Sequence, residues 1–202
     1  MKLYYSPLAC SLSPHIVLRE AGLPYELVRV DLKSHTLASD GSDFLAIHPK
    51  GYVPLLELDD GQRLSEGPAI VQYLADRVPE RQLAPANGTL ARYRLQEWLG
   101  FINSELHKGF SPLFKPDASE EVKKSAREQI GKRLDYIVSQ LGDKPFLFGE
   151  AFSVADAYLF VILNWGQWVG VELARWPALA EFHARVAARS SVREAIALEQ
   201  AK

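Results

Sequence analysis

The sequence contains a single cysteine and no long apolar run, and these two shortages exclude several classes of protein. One cysteine among 202 residues cannot form a disulfide within the chain, so a reducing, cytoplasmic location is expected. No stretch of about 18 apolar residues occurs, so no membrane segment is expected. The N-terminal residues lack the apolar stretch and small-residue cleavage site of a signal peptide.

An excess of basic charge is also missing. Lysine and arginine total 23 against 25 acidic residues, which gives a net charge of -2 and a pI near 6.2. Nucleic-acid binders usually carry a clear basic surplus, so no nucleic-acid partner is expected. Four histidines show no metal-ligand spacing with one another or with Cys10, and no metal is expected: His15, His35, His48 and His183.

The first 78 residues alternate between strand and helix patterns. Apolar spacing predicts helices over 14–21, 42–47 and 67–78, and strands over 2–6, 25–30, 55–58 and 63–64. Asp60-Gly61 between the last two strands is a strong hairpin signal. The order β-α-β-α-β-β-α predicts a small domain over 1–78 with a four-stranded sheet.

The composition changes after residue 78. Residues 79–88 hold two prolines and a glycine and are interpreted as a linker. Every later segment has helical spacing, so 89–202 is predicted to be an all-α domain. Its helices are expected over 89–114, 120–141 and 153–168, with two shorter ones near the end. The fold class is therefore α+β with two domains.

Cys10 lies between the first predicted strand and the first predicted helix. A helix N-terminus offers unpaired N–H groups and a partial positive charge, which stabilise a thiolate and lower the pKa of a cysteine. The alternative is a small buried hydrophobic residue, which is the common state of a lone cysteine. Position alone leaves these two interpretations about equal.

Three further groups carry candidate chemistry, each with a plain alternative. Val53-Pro54 could form a cis peptide that turns the Val53 backbone outward, or be an ordinary loop proline. Glu66-Gly67 could hold the ammonium and carboxylate of an amino acid, or simply cap a helix. Glu105, His107 and Lys108 could face a ligand, or form a solvated helix face.

Taken together, five strings resemble the bacterial beta class of glutathione transferases across nearly the whole chain. They are YYSPLACSLSPHI at 4–16, HPKGYVP at 48–54, LSEGPAIVQYLAD at 64–76, EWLGFINSELHK at 97–108 and FSVADAY at 152–158. Their order and spacing carry the resemblance more than any one string does. It implies a thioredoxin-like N-terminal domain with a mixed sheet, a helical C-terminal domain and a homodimer.

The resemblance also implies roles for particular residues. Glutathione would be the co-substrate, with Cys10 beside its sulfur and able to form a mixed disulfide, and His107 approaching that sulfur. Residues implied in glutathione binding are Ser11, His35, Val53, Pro54, Glu66, Gly67, Glu105 and Lys108. Phe110, Phe114 and Trp165 would line the pocket for a hydrophobic electrophile, and Glu105 would reach the partner subunit's ligand.

Three positions depart from the family pattern. Gly100 stands where asparagine is frequent, which removes one polar contact expected from the neighbouring subunit. His35 lies where a lysine often contacts the glycyl carboxylate, and Tyr52 replaces a frequent glutamine. None of these changes removes the group around Cys10.

The predicted activity is conjugation of the glutathione thiol to small hydrophobic electrophiles, as in detoxification. Because Cys10 and Ser13 have C-x-x-S spacing, a glutathione-dependent thiol–disulfide oxidoreductase is the first alternative. A non-catalytic binder of hydrophobic ligands is the second, and a structural subunit with a vestigial site is the third.

Overall fold

The structure, a computed structural model, describes residues 1–201. They form two compact units. The first comprises Met1–Ala84 together with the described residues from Arg189 onward, and the second comprises Pro85–Ala188. The linker expected over 79–88 contains the division after Ala84. The return of the last residues to the first unit was not expected, because nothing in an amphipathic helix states which neighbour it will cover.

The first unit is built on a mixed sheet with the strand order β3-β2-β1-β4-β5. Strand β1 pairs in parallel with β2 and antiparallel with β4, and the two outer pairs are antiparallel. The prediction of four strands was wrong by one. The additional strand, β3, has only two residues and is too short to show a period of two. The strands are β1 Lys2–Tyr5, β2 Glu26–Asp31, β3 Thr36–Leu37, β4 Leu55–Glu57 and β5 Arg63–Ser65.

Three helices lie between these strands and after them: α1 Leu12–Ala21, α2 Phe44–Ile47 and α3 Gly67–Asp76. Helix α1 ends at Gly22, whose left-handed backbone (φ 66°) lets its N–H bond to the Arg19 carbonyl. Asp43 caps α2 by accepting from the Leu45 N–H at 2.8 Å. The hairpin between β4 and β5 is confirmed, with Gly61 at φ 81°.

A buried apolar cluster fixes the sheet to the loop that follows α2. It contains Tyr4, Val30, Phe44, Val53 and Leu55, each at most 5% exposed. Burying a large apolar side chain contributes about 1.5–3 kcal/mol. Val53 is therefore held by the core as well as by its backbone neighbours.

The second unit is helical, as predicted. Its helices are α4 Leu90–Phe101, α5 Lys108–Phe110, α6 Glu120–Leu141, α7 Val154–Asn164, α8 Gly166–Val169 and α9 Pro177–Ala187. The remaining helix, α10 Ser190–Gln200, packs with the first unit, and 3₁₀ turns occupy Pro79–Arg81, Ser111–Phe114 and Leu173–Arg175. None of the helices among residues 1–201 combines the length and apolar character needed to cross a membrane.

The long helix expected over 89–114 changes its geometry partway. Helix α4 is capped by the Thr89 hydroxyl oxygen, which accepts from the Arg92 N–H at 3.2 Å. After Phe101 the backbone becomes a π-helix over Ile102–His107. The apolar spacing of the sequence does not reveal this change, because a single π turn only shifts the register of the residues after it.

Helix α7 is apolar on every side and is the buried centre of the second unit. Its start is fixed by Asp156, whose carboxylate accepts from the Leu147 N–H, the Ser153 N–H and the Ser153 hydroxyl at 2.7–2.8 Å. The predicted capping pair of Ser153 and Asp156 is thus formed. Burial raises the pKa of the Asp156 carboxyl to about 6, although these hydrogen bonds oppose the rise.

Candidate active site

Cys10 lies in the turn between β1 and α1, two residues before the helix begins. Its carbonyl accepts from the Ser13 N–H at 3.1 Å, which starts the helical hydrogen bonding. Its side chain is half-buried, and the thiol donates to the Val53 carbonyl at 3.3 Å. The structure therefore brings together two predicted site residues that are 43 positions apart.

Ser11 precedes α1 directly, and its side chain makes no capping hydrogen bond to that helix. Its hydroxyl instead donates to the Ser6 carbonyl and accepts from the Ser6 N–H, both at 3.2 Å. This pair ties the end of β1 to the start of α1. The Ser11 hydroxyl could donate to glutathione only by giving up its bond to the Ser6 carbonyl, so the backbone is the better donor to a ligand.

The loop before Cys10 is held by a residue that the sequence analysis missed. The Leu8 backbone has a positive φ of 57°, and its N–H donates to Glu199 of α10 at 2.8 Å. The other carboxylate oxygen of Glu199 lies 2.8 Å from His15 Nδ1, and both side chains are fully buried. Glu199 thus clamps the Cys10 loop to α1 from the far end of the chain.

The Val53–Pro54 peptide bond is cis, as the resemblance implied. The segment before it is fixed by His35, whose Nδ1 lies 2.9 Å from the Gly51 carbonyl oxygen. Gly51 itself has φ 69°, and a Cβ there would lie 2.8 Å from Leu45 Cδ2 and 3.0 Å from His35 Nδ1. The position therefore favours glycine, and His35 contacts the loop that presents Val53.

Glu66 directly precedes α3 and has an unusual positive φ of 70°. Its carboxylate lies 2.8 Å from Lys50 Nζ and 3.4 Å from the Tyr52 hydroxyl. The Glu66 carboxylate raises the pKa of Lys50. A strained non-glycine backbone is typical of functional sites, and here it turns an anionic side chain outward beside the N–H groups at the start of α3.

In the second unit, the π-helix ends at His107. The His107 Nδ1 lies 2.6 Å from the hydroxyl of Tyr158, which is 2% exposed, and that hydroxyl donates to Asn103 Oδ1 at 2.9 Å. Tyr158 belongs to α7, the buried central helix. In the sequence, Tyr158 stands in the string FSVADAY, and nothing there connects it to His107.

The three predicted pocket residues meet around one indole. Trp165 contacts Phe110 and Phe114 edge-to-face, with ring centroids 6.0 and 5.6 Å apart. The centroid of the His107 imidazole lies 4.9 Å from that of the same indole. The predicted histidine therefore packs on the same aromatic cluster, in which Phe114 is exposed whereas Phe110 and Trp165 are buried.

Glu105 and Lys108 are both exposed, on either side of His107 in the chain. The Glu105 carboxylate pairs with Arg133 of α6 at 2.8 Å. The structure thus gives Glu105 a partner within its own chain.

Within residues 1–201, no three or more histidine, cysteine, aspartate or glutamate side chains come together as metal ligands would.

Comparison with known proteins agrees with this two-part arrangement. Residues 9–77 match the family model described as the N-terminal domain of glutathione S-transferases, and residues 101–190 match that of the C-terminal domain. A mixed sheet with a cysteine before its first helix, followed by a helical unit, defines a protein with a thioredoxin-like domain. The chain belongs to the glutathione S-transferase family.

Individual relatives refine this assignment to the bacterial beta class. The chain is 48% identical to the glutathione S-transferase GstA of Escherichia coli O157:H7, over all of both chains. It is 46% identical to a beta-class glutathione S-transferase structure from Sphingomonas chungbukensis, with 99% of each chain covered and a TM-score of 0.95. A sphingomonad glutathione S-transferase complexed with glutathione is 47% identical over 98% of each chain, with a TM-score of 0.94.

Proposed function

We propose that this glutathione S-transferase conjugates the glutathione thiol to small hydrophobic electrophiles, with Cys10 also able to form a mixed disulfide with glutathione. The observation that carries the proposal is the Cys10 thiol held on the Val53 carbonyl at the start of α1. An extended peptide that pairs with the Val53 backbone there would bring its own cysteine next to Cys10. The sphingomonad relative with bound glutathione supports that ligand.

Glutathione would be bound by groups of both signs in the first unit. Glu66 would attract the ammonium of the γ-glutamyl end, and the Gly67 N–H would meet its carboxylate. Val53, before cis Pro54, would pair with the cysteinyl backbone. The Ser11 backbone and His35 would complete this part of the site. Lys108 would contribute charge, and Glu105 would reach the ligand of the partner subunit.

In the transfer step, the glutathione thiol loses its proton and its sulfur attacks an electrophilic carbon. A new carbon–sulfur bond forms, and the leaving group, such as a halide, departs with its bonding electrons. A cysteine thiol has a reference pKa of about 8.5, so most of it is protonated at neutral pH. His107 would assist the loss of that proton, and each unit by which the pKa falls corresponds to about 1.4 kcal/mol.

The electrophile would bind against Phe110, Phe114 and Trp165. The Phe114 and Phe110 ring centroids lie 5.6 and 6.0 Å from that of Trp165. Phe114 is the exposed ring that would meet a flat aromatic or halogenated molecule, while Phe110 and Trp165 are at most 7% exposed. Replacing Trp165 by Ala should raise the Michaelis constant for an aryl halide while leaving that for glutathione nearly unchanged.

The mixed-disulfide step would use the same cysteine in a different reaction. The Cys10 thiolate attacks the glutathione sulfur of a mixed disulfide between glutathione and another thiol, the old sulfur–sulfur bond breaks, and the other thiol leaves as its thiolate. A second glutathione then attacks the glutathione sulfur of the mixed disulfide. This restores Cys10 and releases oxidised glutathione. A mainly oxidoreductase role remains the alternative, and the single cysteine makes glutathione its natural partner.

Two variants test these roles. Replacing His107 by Ala should lower the rate of conjugation to a chromogenic aryl halide, and an unchanged rate would remove His107 from the mechanism.

Replacing Cys10 by Ser should abolish disulfide reduction and leave much of the aryl transfer. Loss of both activities in a folded Cys10→Ser protein would make Cys10 the transfer catalyst itself.

We further propose that the protein is a cytoplasmic homodimer. A patch of exposed or half-exposed aromatic residues on α4 and α6 supports self-association: Trp98, Phe101 and Tyr136. Light scattering during gel filtration would test the dimer.

Hydrophobic-dye binding without glutathione turnover would favour the ligand-binder alternative, and failure to bind immobilised glutathione would favour a vestigial site.

A further inference from the structure

A chain of three polar groups in the second unit determines which nitrogen of His107 carries a hydrogen. The Tyr158 hydroxyl lies 2.6 Å from His107 Nδ1 and donates its hydrogen to Asn103 Oδ1 at 2.9 Å. A phenol has only one hydrogen to donate. Since that hydrogen is directed at Asn103, the short contact to His107 requires a hydrogen on Nδ1.

We infer that Tyr158 is a positioning residue that holds neutral His107 as the Nδ1–H tautomer, so that Nε2 acts as a proton acceptor. In neutral imidazole one nitrogen donates and the other accepts. A hydrogen on Nδ1 therefore leaves the lone pair on Nε2. This inference rests on the proposed transferase function and assigns a direction to the proton transfer in it.

The surrounding structure holds this arrangement in place. Asn103 and His107 lie in the same π-helical segment, whose wider turn brings both towards Tyr158. Tyr158 is buried in α7, only two residues after the anchored Asp156. The Trp165 indole packs against the imidazole at a 76° angle and limits its rotation.

The tautomer decides what His107 can do for the glutathione thiol. With its lone pair on Nε2, the imidazole takes the thiol proton and becomes an imidazolium beside the new thiolate. The Nδ1–H stays bonded to Tyr158 throughout. After the leaving group departs as an anion, the imidazolium returns the proton to solvent. The opposite tautomer could only donate to a thiolate formed by other means.

Nitrogen NMR of the imidazole tests the tautomer directly in the full-length protein without any substrate. The two ring nitrogens give distinct shifts for N–H and lone-pair states, and a His107→Gln spectrum identifies the His107 signals among the five histidines. In alkaline buffer, where imidazoles are neutral, Nδ1 should show the N–H shift. A lone-pair shift on Nδ1 would overturn the inference.

Substitutions at Asn103 switch or preserve the tautomer without touching the Tyr158 hydroxyl. Asn103→Leu removes the acceptor, so the hydroxyl can turn to donate to Nδ1 and the signals should move to the Nε2–H pattern. Asn103→Asp keeps an oxygen that accepts from the Tyr158 hydroxyl, so the Nδ1–H pattern should remain. The same pattern in both variants would show that Asn103 and Tyr158 do not set the tautomer.

Kinetics connect the tautomer to the reaction. Tyr158→Phe should lower kcat for aryl transfer about fivefold, the usual effect of one lost hydrogen bond, with the Michaelis constant for glutathione nearly unchanged. Tyr93→Phe, at an exposed tyrosine of the same unit, is the matched control. An active protein with an Nε2–H signal contradicts this inference alone, whereas an Nδ1–H signal without turnover contradicts only the proposed function.

Discussion

At the scale of single residues, two influences act on the Cys10 sulfur in opposite directions. The start of α1 favours a thiolate, whereas the bond to the Val53 carbonyl requires the thiol hydrogen. A ligand backbone that pairs with Val53 would weaken the second influence. The position of the Val53 carbonyl therefore matters for both binding and reactivity.

Gly51→Ala should disturb this carbonyl by crowding the loop. The added methyl would meet Leu45 and His35 at 2.8–3.0 Å, and the φ of 69° is itself unfavourable for alanine. We expect a loss of stability of about 1–3 kcal/mol and a several-fold rise in the Michaelis constant for glutathione. Gly61→Ala is the control, since Gly61 has φ 81° but nothing within 4 Å. Equal changes in glutathione affinity for both variants would contradict the loop argument.

Glu66→Gln should weaken glutathione binding by removing the charge that attracts its ammonium. Hydrogen bonds to charged groups contribute roughly 1.5–3 kcal/mol, so the dissociation constant should rise about tenfold or more. Calorimetric titration with glutathione measures this, with Glu26→Gln, an exposed carboxylate of the same unit, as control. An unchanged dissociation constant in Glu66→Gln would exclude the proposed ammonium contact.

At the scale of elements, α10 is fastened to α1 at both ends. Near the start of α10, the Arg189 guanidinium pairs with both carboxylate oxygens of Glu20 at 2.6 and 2.9 Å. Near its end, buried Glu199 contacts His15 and the Leu8 N–H. The second contact is the more consequential one, because its removal leaves buried polar groups without a partner.

Glu199→Gln should lower the free energy of unfolding by about 1–3 kcal/mol, because an amide cannot accept at both of its terminal atoms. Urea denaturation followed by fluorescence measures this. Glu194→Gln is the matched control on the same helix, because its ion pair with Arg19 is half exposed and surface pairs contribute at most about 1 kcal/mol. A smaller effect at Glu199 than at Glu194 would show that the clamp is not significant.

The buried Asp156 carboxyl at the start of α7 makes the free energy of unfolding depend on pH. Its folded-state pKa of about 6 is above the ordinary value of 3.8, so the folded protein binds this proton more tightly than the unfolded chain does. This contribution to stability is complete below about pH 4 and is lost as the pH rises through 6, by roughly 3 kcal/mol.

The test compares how the unfolding free energies of the original chain and of Asp156→Asn change with pH. The variant's absolute stability is lower for other reasons, so the difference between the two pH profiles is what matters. Between about pH 4 and 6, the original chain should lose stability faster than the variant as the pH rises. Parallel profiles would contradict the raised pKa.

Local sequence signals predicted most of the elements well. The Asp60-Gly61 hairpin and the Gly22 stop of α1 are confirmed because each depends on only a few adjacent residues. Strand β3 and the π-helix at 102–107 were missed. The first has only two residues, too few to show a strand period, and the second is defined by a backbone register that side-chain spacing does not encode.

At the scale of the whole molecule, the family resemblance identified the residues of the site but not the residues that hold them in position. Cys10, Glu66 and His107 stand in recognisable strings. Tyr158 and Glu199 lie 51 and 184 positions from the histidines that they contact. No periodicity links such distant residues, so only the folded chain reveals that they position the site.

The central claim is that Cys10 meets the sulfur of glutathione while a separate group promotes transfer. Intact-mass spectrometry after incubation with oxidised glutathione, paired with aryl-halide conjugation assays on the same samples, tests it most directly. The original chain should gain one glutathionyl group, whereas Cys10→Ser should gain none and still conjugate the aryl halide. A chain that gains no glutathionyl group, or a folded Cys10→Ser protein without aryl transfer, would contradict the account.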